Sequence, residues 1–159
     1  MAEYSALVPT FAVVGRVNEG KSSIVSTLTE DDSVAIGADP GTTEQSQVYT
    51  VRGDGIELLR LIDTPGFEQA EEVMDWLTAQ SPDVIGRRDA VQNFLDTFSA
   101  AGQYQAECRL LKPILAGAAI IYIVGSNHPF RAGYEREMEI LRWTGQPRLA
   151  IINQGPGDD

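Results

Sequence analysis

Residues 15–22, GRVNEGKS, constrain the fold of this chain more than any other stretch, because they match the pattern G-x-x-x-x-G-K-[ST] at every fixed position. The glycines allow a close turn in which successive backbone N–H groups form an anion-binding nest. A valine-rich apolar run at 10–15 precedes this segment, and apolar residues at helical spacing follow it at 21–30. A strand, a glycine-rich turn and a helix in this order predict a phosphate-binding loop.

The chemistry of this loop is expected to come from both its side chains and its backbone. Lys21 places a positive charge near the β- and γ-phosphates, and the Ser22 hydroxyl is a Mg²⁺ ligand in this pattern. We expect the following residues to surround the phosphates: Gly15, Arg16, Val17, Asn18, Glu19, Gly20, Lys21, Ser22 and Ser23.

The acidic charge of the chain opposes the binding of a triphosphate at this loop. The 159 residues carry a formal net charge of −11, and Lys21 and Lys112 are the only lysines. Because an acidic surface repels a triphosphate, the loop must supply its own local positive field. The same balance leaves no basic footprint for RNA or DNA, so we predict no nucleic-acid surface.

Length and hydropathy predict one soluble domain. No apolar run reaches the roughly 20 residues that a transmembrane helix needs, and the first residues lack the basic region of a signal peptide. The single cysteine, Cys108, excludes an internal disulfide and is expected to pack as a small core residue. We therefore expect a cytoplasmic protein.

Apolar runs of strand length recur along the chain. Their β-branched composition predicts strands at 10–15, 46–52, 56–63, 118–126 and 147–153. The GDG sequence at 53–55 predicts a hairpin that makes the second and third strands antiparallel.

Segments with apolar residues at helical spacing lie between most of the predicted strands, and residues 31–45 are predicted to be a polar loop. The predicted helices lie at 21–30, 68–80, 89–100, 105–117 with its regular part ending before Pro113, and 132–145. The alternation predicts an α/β fold, with a mostly parallel sheet, one antiparallel hairpin and helices on both faces.

Four polar or glycine positions fall where predicted strands end: Gly15, Asp63, Gly125 and Asn153. Ligands of open α/β sheets bind outside the carboxyl ends of the strands. Asp63 begins the sequence DTPG, where its carboxylate can hold Mg²⁺ through water and the Gly66 N–H can contact a γ-phosphate. We expect these positions to share one ligand-binding edge.

The segments GRVNEGKSS at 15–23, PGTT at 40–43 and DTPG at 63–66 resemble the first three signature motifs of the translation-factor-related P-loop GTPases. The closest match is to the bacterial Era/TrmE-like small GTP-binding proteins, over about residues 10–153. The resemblance implies a Ras-like fold that binds GTP or GDP with Mg²⁺ and hydrolyses GTP slowly. It adds Thr43 to Ser22 and Asp63 as a Mg²⁺ site residue, and makes Lys21, Thr43 and Gly66 the catalytic set.

Two matched positions bear on the hydrolysis rate. Asn18 matches an asparagine that helps ligate K⁺ in potassium-dependent members, where the cation acts as a built-in arginine finger; an asparagine that bonds its own loop is the alternative. Phe67 stands where Ras-like enzymes carry a water-orienting glutamine. Intrinsic hydrolysis should therefore be slow without K⁺, a partner or another polar residue.

The base-reading motif departs from the family pattern N-K-x-D. In NQGP at 153–156, Asn153 matches, Gln154 replaces the lysine and Pro156 takes the aspartate position, so Asp158 or Asp159 reaches the base only if the turn at 155–157 folds back. A P-loop NTPase with ATP or relaxed base preference is therefore one alternative. A nucleotide-gated interaction module with negligible turnover, which Phe67 permits, is another.

The resemblance also concerns what surrounds this domain. The Ras-like fold continues with a further loop, strand and helix, so we expect residues 1–159 to be a single, C-terminally truncated GTP-binding domain from the N-terminal part of a longer protein. Residues 31–45 and 67–86 are the expected switch segments. The long region 68–117 predicts contact with a C-terminal domain, a protein partner or a second copy in a homodimer; a helical pad over one sheet face is the alternative.

Overall fold

The computed structural model describes residues 7–15, 27, 34–38, 47–80, 83–126 and 132–154. Within these ranges, one sheet contains six strands: β1 (Thr10–Gly15), β2 (Val34–Ala38), β3 (Gln47–Gly53), β4 (Ile56–Asp63), β5 (Ala119–Gly125) and β6 (Arg148–Asn153). The longer helices of these ranges are α1 (Ala70–Gln80), α2 (Arg87–Phe98), α3 (Gln105–Leu115) and α4 (Ala132–Trp143). A short 3-10 turn, Val84–Gly86, precedes α2.

The strand order β2-β3-β4-β1-β5-β6 places β1 at the centre of the parallel part of the sheet. β1 pairs in parallel with β4 and β5, and β5 pairs in parallel with β6. β3 and β4 form the predicted hairpin, whose turn residues Asp54 and Gly55 both have positive φ, as tight hairpin turns require. The predicted α/β class with a mostly parallel sheet is confirmed.

Strand β2 corrects the prediction that 31–45 is a polar loop throughout. Val34–Ala38 pairs antiparallel with β3, from Val34 opposite Gly53 to Ala38 opposite Tyr49. The apolar run VAIGA is only five residues long and has polar segments on both sides, so it carries little periodic signal. Its strand conformation is explained by the open edge that β3 offers.

Helix α3 also differs from its prediction, because it continues through Pro113 to Leu115. Proline removes one N–H from the helix, yet the Ala116 N–H still bonds the Lys112 carbonyl at 3.1 Å. Ile114, the next residue, is fully buried. Its burial offsets the loss of one backbone hydrogen bond in the last turn.

The apolar core occupies both faces of the central strands. Ala12 and Val14 belong to a large cluster that includes side chains of all four helices, whereas Val13 packs with Ile123 in a smaller cluster. Successive side chains of a strand point to opposite faces. Both faces of β1 are therefore shielded from solvent over its carboxyl-terminal residues, Ala12 to Gly15.

The region 68–117 forms a helical pad on this sheet, as one of the two interpretations predicted. Rings of α1 and α2 meet there, with Phe94 centred 5.5 Å from Trp76 and 4.9 Å from Phe98. Phe94 is fully buried. Cys108 is buried as expected, and this burial raises the pKa of its thiol although Ser99 hydrogen-bonds it.

Polar contacts fasten α2 to α4. Glu139 accepts hydrogen bonds from Arg142 at 2.7 Å and from the Trp143 indole at 2.9 Å, and the Arg87 guanidinium lies 4.9 Å from the Trp143 ring centre. Burial acts to raise the pKa of Glu139, but these hydrogen bonds and cations outweigh it and lower the pKa. None of the helices in the described ranges has the length and hydropathy of a membrane span.

Candidate functional site

The predicted ligand edge is formed by the carboxyl ends of four parallel strands. Asp63 at the end of β4 is level with Val13 of β1, and Gly15 of β1 is level with Ile123 of β5. Gly125 and Asn153 are directly paired at the ends of β5 and β6. The expectation that these strand ends share one edge is confirmed.

The packing of the sheet requires glycine at position 15, as does the phosphate-binding pattern. A Cβ atom at this position would lie 2.9 Å from the Ile123 carbonyl oxygen and 3.3 Å from the Ile123 Cβ. No side chain fits at that distance without moving the backbone of β5. The glycine therefore lets β1 and β5 stay close together where the chain leaves the sheet for the loop.

Thr64 attaches the DTPG segment to the strand that leads into the loop. Its N–H donates to the Val13 carbonyl at 3.3 Å, and its hydroxyl donates to the same oxygen at 2.8 Å. Thr64 is 2% exposed, so these bonds are made away from solvent. The sequence alone does not single out Thr64, because it occupies the variable position of D-x-P-G.

The residues on either side of Thr64 differ in their exposure to solvent. Asp63 is exposed at the edge, and a carboxylate in that setting fits the hard oxygen ligands that Mg²⁺ prefers. Gly66 is half-buried. Phe67 packs against the large apolar cluster and so cannot take over the role of a water-orienting side chain.

Glu107 of α3 is the second residue of this region that the sequence analysis missed. One of its carboxylate oxygens accepts the backbone N–H groups of Glu68 at 2.8 Å and Gln69 at 2.6 Å, immediately after DTPGF. A signal was available, since Glu107 lies three, four and seven residues before Leu110, Leu111 and Ile114. A charged residue at a core position of an amphipathic helix indicates a buried polar contact.

Asn153 lies at the end of β6, in the position expected for a base contact. The Ser126 N–H donates to its carbonyl at 2.9 Å, which joins the ends of β5 and β6. Gln154, which replaces the family lysine, is exposed. Pro156 and the two aspartates after it lie outside the described residues.

Most of the predicted phosphate and metal ligands also lie outside the described residues. Within the described ranges, no group of three or more histidine, cysteine, aspartate or glutamate side chains could hold a metal ion. The predicted site residues that fall outside are Arg16, Val17, Asn18, Glu19, Gly20, Lys21, Ser22, Ser23 and Thr43.

Comparison with protein families identifies one match over most of the chain. A family model described as 50S ribosome-binding GTPase matches residues 10–153. This range begins with β1 and ends with β6, so it includes every strand of the sheet and the whole ligand edge.

Curated proteins show the same likeness at modest identity. A tRNA modification GTPase MnmE of Thermoanaerobacter sp. (strain X514) is 29% identical over 135 residues, which is 84% of this chain and 28% of that protein. A GTPase Der of Proteus mirabilis (strain HI4320) is 31% identical over 122 residues, 76% of this chain and 24% of that protein. The chain thus spans about a quarter of the length of these relatives.

Solved structures resemble this chain only distantly. A point variant of Aquifex aeolicus Era bound to GDP and AlF4⁻ is 21% identical with a TM-score of 0.49, covering 92% of this chain and 40% of that one. The G domain of the T. maritima FeoB iron transporter is 17% identical with a TM-score of 0.47, covering 92% and 72%.

Proposed function

This chain belongs to the 50S ribosome-binding GTPase family, and from that premise we propose that it is a GTP-binding switch domain with slow, Mg²⁺-dependent GTP hydrolysis. The observation that carries the proposal is the attachment of Thr64 to the Val13 carbonyl. It holds the DTPG segment beside the strand that enters the phosphate-binding pattern. The two motifs that a GTPase needs are thereby kept together.

Each proposed site residue has a role that its chemistry supports. Lys21 stabilises the charge of the β- and γ-phosphates, while Ser22 and Thr43 are direct Mg²⁺ ligands and Asp63 holds the ion through water. Mg²⁺ held by these residues would neutralise negative charge that develops on the phosphates during hydrolysis. Gly66 contacts the γ-phosphate through its N–H.

The same site gives a reason for slow turnover. The Phe67 side chain is apolar and packs against the core cluster, so the attacking water has no orienting group at that position. We propose that Asn18 compensates by helping to ligate K⁺ beside the phosphates. A monovalent cation there supplies the transition-state charge stabilisation that an arginine finger supplies elsewhere.

We expect GTP turnover to be at least about 10-fold faster in KCl than in NaCl at equal ionic strength, and to stop when EDTA removes Mg²⁺. The measurement is phosphate release by the full-length protein under single-turnover conditions. Asn18→Ala should remove the difference between the two salts and leave the rate in NaCl unchanged within about 2-fold.

Equal wild-type rates in the two salts would contradict the role of Asn18. Absence of Mg²⁺-dependent phosphate release in both salts would contradict hydrolysis itself. In that case a nucleotide-gated interaction module, the alternative that Phe67 permits, would become the better account.

The surroundings of the site are also part of the proposal. We propose a cytoplasmic protein in which the switch segments 31–45 and 67–86 contact a C-terminal domain, a protein partner or a second copy. One feature of the pad supports such contact, since Val84 and Ile85 between α1 and α2 are 71% and 97% exposed. Large exposed apolar side chains side by side are a feature of interaction surfaces.

A further inference from the structure

Glu107 is a fully buried carboxylate in a helix that otherwise presents apolar side chains to the core. Its exposure is 0%, the same as that of Leu110, Leu111 and Ile114 on the same face of α3. Burial of an ionised group is costly unless hydrogen bonds compensate it. The contacts of Glu107 therefore show what this carboxylate does in the fold.

The hydrogen bonds that this carboxylate accepts in the described ranges come from one short segment. A single oxygen, Oε1, accepts the N–H groups of Glu68 and Gln69 at 2.8 and 2.6 Å. The Gln69 N–H is among the donors at the start of α1 that have no partner within that helix. Hydrogen bonds to a carboxylate are stronger than those to a neutral acceptor, and the negative charge also suits a helix N-terminus.

The segment that Glu107 holds is the continuation of DTPG. At its other end, Thr64 is bonded twice to the Val13 carbonyl of β1. Only three residues separate these two attachments: Pro65, the proposed γ-phosphate contact Gly66, and Phe67, which packs against the core. The path of the Gly66 peptide is thus fixed from β1 on one side and from α3 on the other.

We propose that Glu107 is a positioning residue for GTP hydrolysis, which holds the Gly66 peptide in place through Glu68 and Gln69 and couples α3 to the nucleotide site. This inference rests on the proposed GTPase function. It also assigns a regulatory role to the region 68–117, because a partner that displaces α3 would move the segment that contacts the γ-phosphate.

The second oxygen of Glu107 makes the substitutions informative. Oε2 is buried and has no hydrogen-bond partner within the described ranges. Glu107→Gln keeps an oxygen that can accept both N–H groups, so it should preserve the position of the segment. Glu107→Ala removes both bonds.

A matched control exists in α4. Glu137 is 2% exposed and accepts a hydrogen bond from the Tyr122 hydroxyl at 2.6 Å, a contact that joins α4 to β5. Glu137→Ala removes an equally buried carboxylate and keeps the bonds of Thr64 to β1 and of Glu107 to the start of α1.

The test combines turnover, GDP affinity and amide exchange in full-length protein. We expect Glu107→Ala to lower kcat for GTP at least about 10-fold, with the Kd for GDP changed less than about 3-fold. Amide hydrogen exchange at Glu68 and Gln69 should become at least about 10-fold faster. Glu107→Gln and Glu137→Ala should each keep kcat and this exchange within about 3-fold of wild type.

Each outcome decides the proposal. Equal losses of kcat in Glu107→Ala and Glu137→Ala would mean that any buried carboxylate has this effect, and would overturn it. Unchanged amide exchange at Glu68 and Gln69 in Glu107→Ala would overturn the positioning role of Glu107. Absence of GTP hydrolysis in the wild-type protein would contradict the proposed function, and the exchange measurement would still test the contact. If Glu107→Ala does not fold, Glu107→Asp, which keeps the charge but shortens the side chain, must show the same loss.

Discussion

Replacing Lys21 with alanine is expected to lower GTP turnover at least about 100-fold, the loss typical of removing one group that stabilises transition-state charge. The effect should be large because the chain carries a net charge of −11 and its only other lysine is Lys112. Lys21 stands in the phosphate-binding pattern, and we propose that its ammonium group contacts the β- and γ-phosphates. Single-turnover phosphate release and titration with GTP measure the effect.

Lys112→Ala is the matched control for this prediction. It removes the same charge from the same acidic chain, but Lys112 is an exposed residue in the last turn of α3. Turnover of this variant should stay within about 2-fold of wild type, as expected for an exposed surface substitution. Equal losses in both variants would mean that net charge, and not the phosphate-binding loop, limits the reaction.

Replacing Phe94 with alanine is expected to lower the free energy of unfolding by about 3–5 kcal/mol, the range for a fully buried phenylalanine. Phe94 is 0% exposed and lies at the centre of a ring cluster with Trp76, Phe98 and Tyr104 at centroid distances of 4.9–5.5 Å. The variant loses these contacts and leaves a cavity between α1 and α2. Urea unfolding followed by tryptophan fluorescence measures the change.

Ile85→Ala serves as the control for Phe94→Ala. Ile85 is also a large apolar residue of the pad, but it is 97% exposed, so its truncation should change the unfolding free energy by less than about 0.5 kcal/mol. A loss below about 1 kcal/mol for Phe94→Ala would contradict the conclusion that the region 68–117 is part of the core.

The parts of the fold that sequence reasoning predicted are those with a strong local pattern. The valine-rich run before Gly15 and the GDG turn at 53–55 led directly to β1 and to the β3–β4 hairpin. Strand β2 was not predicted, because its five residues between polar segments show no clear hydrophobic periodicity and its pairing depends on the edge of β3. Helix α3 continues beyond Pro113, because burial of the last turn outweighs the loss of one backbone hydrogen bond.

The sequence predicted the strand ends of the candidate site but not the long-range contacts around them. The strand ends at Gly15, Asp63 and Asn153 could be assigned to one edge because parallel strands place their carboxyl ends together. Thr64 could not, and for Glu107 the helical spacing indicates burial but not the partner, since their contacts join residues 51 and 39 positions apart in the chain. Such contacts are set by how elements pack, and a local pattern does not encode them.

The base preference is the central claim that a single measurement can decide. We propose guanine selectivity although Gln154 replaces the family lysine and Pro156 replaces the family aspartate, with Asp158 or Asp159 as the acceptor of the two hydrogen bonds from the base. Competition of GTP, GDP and ATP for a fluorescent guanine nucleotide on the full-length protein with Mg²⁺ gives the three dissociation constants. GTP and GDP should bind at least about 100-fold more tightly than ATP, as two lost hydrogen bonds to the base predict. Equal affinities for GTP and ATP would contradict the account and favour an NTPase with relaxed base preference.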